Sequence, residues 1–193
     1  MTSLETTHAL LEDLLLSLVD KEGALTLRAN EHTGRIDWTV GVDINDITKI
    51  IGKGGAHMRA IRLIVDLMGR AKNPVEIWNF EHDEPEEGLR HRREDMEQPN
   101  FHDPEDDTIL LSEILSAIGV DCSVAVSGAI AGGFDFSIRP HSQAANQALL
   151  EPHEAIYKRW QKEREPLNLA AALGTLWRAV GKKNGVRYRV SVT

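Results

Sequence analysis

The sequence predicts an α+β fold built from two similar units, each a three-stranded sheet with helices packed on one face, joined by an acidic linker. Three patterns lead to it. Residues 9–80 run helix, strand, strand, short helix, glycine loop, helix, strand. Residues 108–193 run helix, strand, strand, helices, strand. Between them, residues 81–107 carry 12 acidic and 3 basic side chains and three prolines. Helices and strands segregated in this way form a layer of helices on one face of a sheet, and 193 residues leave room for two small units.

In the first unit, Leu10, Leu11, Leu14, Leu15 and Leu18 form one stripe at helical spacing over Ala9–Val19. Lys21-Glu-Gly23 ends that helix. Ala24–Ala29 alternates, with Leu25 and Leu27 on one face, and Arg35–Val42 alternates through Ile36, Trp38, Val40 and Val42. With Asn30–Gly34 as a turn between them, the two runs predict an antiparallel hairpin. Asp43–Ile51 is a short helix. Ala56–Gly69 is a longer one, with Met58, Ile61, Ile64, Val65 and Met68 at helical spacing. Arg70–Pro74 is a break before a last strand, Val75–Phe80.

The second unit reads the same way: a helix Thr108–Ile118, a strand Cys122–Ile130, a turn Ala131–Gly133, and a strand through Phe134, Phe136 and Ile138. A long helical stretch Gln143–Glu165 follows. Then come a helix Leu167–Val180, a break Gly181–Gly185 and a strand through Val186, Tyr188, Val190 and Val192. Ala60–Trp78 and Ala170–Arg189 share a helix, a glycine-basic-asparagine break and a final strand, which predicts an internal duplication.

The formal charge of −8 is unevenly spread. Residues 1–80 sum to −2, residues 81–107 to −9 and residues 108–193 to +3. The acidic segment alone exceeds the whole deficit, and local potential, not the total, governs contact with a polyanion. Few large apolar groups accompany these charges, so the segment reads as a flexible tether, or as an acidic decoy competing with a nucleic acid for a basic groove. His82, His91 and His102 lie in it at spacings that match no compact metal-ligand motif. Cys122 is the lone cysteine, which excludes an intramolecular disulfide and a multi-cysteine zinc site. No run reaches 18 consecutive apolar residues, and Met1–Thr7 lacks the basic residues of a leader. The expectation is a soluble protein of a reducing, cytoplasmic compartment, with no membrane association. No serine, histidine or carboxylate sits in a recognisable nucleophile context, so no catalytic residue, metal or cofactor is assigned.

The informative motif is Ile51-Gly-Lys-Gly-Gly55, between two helices. Glycines let the backbone approach a ligand with no Cβ in the way. The loop amides and the start of the next helix offer donors to phosphate, and Lys53 adds a mobile charge. Lys49, Arg59 and Arg62 lie on the flanking helices, the two arginines on one helical face. An apolar groove of Val40, Val42, Ile47 and Ile50 is expected to receive bases, with Asp43 and Asp46 nearby repelling phosphate. The phosphate-loop and dinucleotide-binding glycine patterns are both missing.

In context, Ile50-Ile-Gly-Lys-Gly-Gly-Ala-His-Met-Arg-Ala-Ile-Arg-Leu-Ile-Val65 resembles the Ile-Gly-Lys-x-Gly-x-x-x-x-Ala-Ile-Arg signature of KH domains. The glycine loop and Ala60-Ile61-Arg62 match in register. Over residues 9–80 the chain is similar to small stand-alone bacterial KH proteins of the prokaryotic (type II) arrangement. Such loops clamp about four nucleotides of single-stranded backbone. The resemblance implies that Gly52, Lys53, Gly54 and Gly55 hold the sugar-phosphate chain, that Ile50 and Ile51 support loop and groove, and that Lys49, Arg59 and Arg62 add contacts. Gly54, at the second variable position, departs from the usual pattern and loosens the loop. Residues 108–193 would be a degenerate KH-like copy, with Glu163-Arg-Glu-Pro-Leu-Asn where a glycine loop would stand.

Tyr157, Lys158, Arg159, Trp160, Lys162 and Arg164 form a basic and aromatic cluster. Lys182, Lys183, Arg187 and Arg189 are candidates for a second basic face. His57 is a candidate for stacking on a base or for a solvated helix position. The expected function is single-stranded RNA binding without catalysis, in post-transcriptional regulation or ribosome-associated assembly, with single-stranded DNA an open alternative. The C-terminal unit would extend the surface, dock a protein or form a homodimer. The rival is a protein-interaction scaffold on the same folds, with nucleic-acid binding incidental.

Overall fold

The computed structural model describes residues 4–32, 35–69, 78–81, 103–129, 132–153 and 167–193. Helix α1 (Leu4–Leu16) buries Thr7, Leu10, Leu11, Leu14 and Leu15 along one stripe. It begins five residues earlier than the apolar run and ends three sooner, with Leu18 and Val19 buried beyond its end. A short 3-10 turn, Glu22–Ala24, stands where the first strand was expected to start.

Strand β1 (Thr26–His32) pairs antiparallel with β2 (Arg35–Gly41), from Thr26 opposite Gly41 to His32 opposite Arg35. The ladder runs through Asn30, Glu31 and His32, which local composition had assigned to the turn. Cross-strand pairing outweighs their weak strand preference. Helix α2 (Ile47–Ile51) is five residues long, and α3 (Ala56–Gly69) has the bounds its periodicity predicts. Strand β3 (Trp78–Glu81) pairs parallel with β2, Trp78 opposite Trp38, giving the sheet order β1-β2-β3. The expected break and the start of the last strand, residues 70–77, lie outside the described residues.

The second unit repeats this plan. It holds α4 (Pro104–Ile118), β4 (Cys122–Ala129), β5 (Gly133–Pro140), α5 (Gln143–Leu150), α6 (Leu169–Lys183) and β6 (Arg187–Val192). Strands β4 and β5 are antiparallel, β5 and β6 parallel, in the order β4-β5-β6. Element order and strand sense match the first unit, with α5 in the place of α2.

Three boundaries correct the sequence reading. Residues 103–107 are not linker. Asp103 caps α4, its side chain accepting from the Glu105 amide at 2.9 Å, Pro104 follows, and Glu105, Asp106 and Asp107 fill the first turn. Proline at the first helical position and carboxylates near the positive end of a helix dipole are ordinary start signals. Residues 82–102 lie outside the described residues, and Glu81 belongs to β3. The helix from Gln143 stops at Leu150, because Glu151 is extended (φ −69°, ψ 136°) and Pro152 follows. The Tyr157–Arg164 cluster lies outside the described residues. Gly181 does not end α6 but sits inside it, where a Cβ would come within 2.7 Å of the Tyr188 ring and 2.9 Å of the Val186 carbonyl. The chain turns instead at Gly185, at φ 71°.

The helical layers of the two units face each other, α1 against α4 and α3 against both α4 and α6. Trp38 and Val40 of β2 and Phe136 and Ile138 of β5 close the core from either side, so the buried residues make one continuous cluster. On β4, Ser123, Ala125 and Ser127 face outward. Lys183 joins the units directly: its Nζ donates to the Leu16 carbonyl at 2.8 Å and lies 3.4 Å from Glu22. Among the described residues no helix is long and apolar enough to cross a membrane, and no group of His, Cys, Asp and Glu could hold a metal.

Candidate nucleic-acid interface

The glycine loop connects α2 to α3 through backbone that other residues avoid. Gly52 has φ 71° and ψ 169°, Gly54 has φ 60° and ψ 24°, and Gly55 has φ 76°. Gly52 is needed twice over, since a Cβ there would lie 2.5–2.8 Å from the His57 ring. That ring sits against the loop, with Nδ1 2.5 Å from the Lys49 carbonyl. A carbonyl only accepts, so Nδ1 carries the proton. His57 is therefore held against the loop, half-buried on the wall of the adjoining groove. Nothing lies within 4 Å of a Cβ built on Gly54, and Lys53 and Gly54 are exposed.

The flanking charges are mostly committed. Asp46 is almost fully buried and accepts from the Asp20 and Lys21 amides at 3.1 and 2.9 Å and from Lys49 Nζ at 2.6 Å. Burial by itself raises its pKa, but the Lys49 hydrogen bond and the two amides outweigh it and hold the carboxyl below the ordinary range. Lys49 also pairs with Asp20, and although burial lowers its pKa, these carboxylates raise it overall. Asp43 takes Lys21 at 2.6 Å and the Asn45 amide at 2.9 Å, and the Lys21 hydrogen bond leads in holding it below its usual value. The two aspartates expected to repel phosphate are thus neutralised locally, and Lys49, expected to bind it, is what neutralises Asp46.

Of the four residues expected to line an apolar groove for bases, three are buried and Ile47 is half-buried. Val40, Val42 and Ile50 are core residues, with Ile50 fully buried. Strand alternation identifies which residues share a face but not which face meets solvent. Ile50 acts only from beneath the loop, and Ile51 is half-buried. Arg59 and Arg62 are half-buried on α3 and do not line the groove beside the loop.

That groove, of about 660 Å³, has Gly52, Lys53 and His57 on one wall and Thr175, Arg178 and Lys182 of α6 on the other. Sequence reading named Lys182 as part of a basic face but missed Thr175 and Arg178. The spacing of 175, 178 and 182 places all three on one side of a helix, a signal that was available. That this side faces a loop more than 120 residues earlier was not. Arg187 and Arg189 are exposed on β6, away from this groove. No family model matches the chain, and no curated protein does.

Proposed function

We propose that this protein binds single-stranded RNA through a KH-type loop, Gly52–Gly55, and has no catalytic activity of its own. One observation carries the reading: Gly52, Gly54 and Gly55, all at positive φ, flank an exposed lysine at the mouth of a cationic groove. Such a loop brings backbone and ammonium close to a phosphate without steric hindrance. The order α1-β1-β2-α2-loop-α3-β3 supports the reading, being the order the KH resemblance implies. We propose further that residues 103–193 descend from a duplication of the first unit. The repeated order of strands, antiparallel then parallel, supports it. Among the described residues α4 and α6 of the second unit pack against α1 and α3 of the first, so those faces are not free for the scaffold reading.

The test is the double variant Lys53→Asp, Gly54→Asp. Aspartate tolerates left-handed backbone better than most residues, and the space at Gly54 is open, so the fold is retained. Titration with unpaired RNA is expected to show affinity lowered at least about fivefold at 0.1 M salt, the counterion term of one phosphate contact on a single strand. Matched DNA and RNA oligonucleotides decide between the two strands. Unchanged binding by the variant contradicts the proposal.

A further inference from the structure

We infer that the second unit is the other half of the same nucleic-acid site: Arg178 and Lys182 on α6 hold the phosphates of a strand seated on the Gly52–Gly55 loop. This rests on the RNA-binding reading above and adds where the strand runs. The argument is one of position and charge. Lys49, Lys53, Arg178, Lys182 and Lys183 all line the groove. Two of the five are occupied, Lys49 by Asp46 and Asp20, and Lys183 by the Leu16 carbonyl and Glu22. Lys53, Arg178 and Lys182 have no acidic partner among the described residues. Arg178 bonds only its own helix, Nε to the Gly174 carbonyl at 2.8 Å, which leaves its terminal nitrogens available. The one carboxylate in the lining, Asp20, shares Lys49 with the buried Asp46.

The groove therefore presents three unpaired cations against the one negative charge left by Asp20, Asp46 and Lys49, from residues more than 120 positions apart. Thr175, Arg178 and Lys182 follow one stripe of α6 about 10 Å long at 1.5 Å per residue, opposite the loop. A flexible polyanion fits such a row, because cations tracking a backbone serve any base sequence. The packing of α3 against α6 holds the two walls in register.

The test compares Arg178→Ala, Lys182→Ala with Arg187→Ala, Arg189→Ala, which removes the same charge from β6 outside the groove. All four side chains are exposed. The probe is a decanucleotide of uridylate, titrated between 0.05 and 0.3 M salt. Two lost contacts on a single strand are expected to lower the salt slope by about 1.4 and the affinity by about 25-fold at 0.1 M. The β6 variant is expected to bind like the parent chain. Equal losses in both variants, or no loss in the α6 variant while Lys53→Asp, Gly54→Asp weakens binding, overturn this inference and leave the loop reading standing. A parent chain that binds no oligonucleotide overturns both.

Discussion

Replacing Gly52 by alanine tests how the loop is held. The backbone there (φ 71°, ψ 169°) belongs to a region almost reserved for glycine, and a side chain in it costs about 1–3 kcal/mol. The new Cβ also meets the imidazole of His57 at 2.5–2.8 Å. The ring must move and give up its bond to the Lys49 carbonyl, a net loss of about 0.5–1.5 kcal/mol. Together the variant is expected to lose about 1.5–4.5 kcal/mol, a fall of roughly 3–18 °C in Tm for a chain of this size. Urea unfolding followed by far-ultraviolet circular dichroism measures it. Gly54→Ala is the control, with positive φ but open space, and is expected to cost about 1–2 kcal/mol. In a His57→Ala background the collision is gone, so Gly52→Ala should cost about 1 kcal/mol less than in the parent, a coupling a double-mutant cycle resolves. A Gly52→Ala protein within 0.5 kcal/mol of the parent, or a cycle with no coupling, refutes the account of His57 held against the loop.

Asp46→Asn removes a buried carboxylate that takes three hydrogen bonds and is expected to cost about 1.5–3 kcal/mol by denaturant titration. The pKa of Asp46 is lowered on folding, so its stabilisation is complete above the unfolded carboxylate value near 3.8 and is lost as pH falls through the folded value. The parent should therefore lose stability below about pH 4 more steeply than Asp46→Asn, and parallel pH profiles would count against the assignment. Gly181→Ala pushes a methyl group into the Tyr188 ring and the Val186 carbonyl and is expected to cost about 1–3 kcal/mol, whereas a simple helix-breaking glycine would gain stability on the same change.

Much of the fold was legible because its elements are strongly periodic. Ala56–Gly69 has the bounds its apolar spacing predicts, and alternation placed β2 and β5 within a few residues. The misreadings have local physical causes. Asp103-Pro104 is a helix start embedded in a run of charge, and charge density masked the cap. Pro152 ended a helix whose apolar spacing continued past it. Gly181 looked like a breaker because glycine serves equally for a turn and for close packing, and only the position of Tyr188 distinguishes them. At the site, the loop glycines and Lys53 were readable as a motif. The capture of Lys49 by Asp46 and Asp20 and the approach of α6 depend on tertiary contacts that no spacing rule encodes.

Helix faces shared across the chain midpoint bear on what happens when the chain is cut. Lys183 satisfies a carbonyl at the end of α1, and Leu111, Ile114 and Leu115 of α4 belong to the same buried cluster as Leu11, Leu14 and Leu15 of α1. A protease that severs the segment between β3 and α4 would release two pieces, each with an oily flank that water disfavours. Such pieces should find each other again and rebuild the parent from separate polypeptides, so nicked material would still elute as one body.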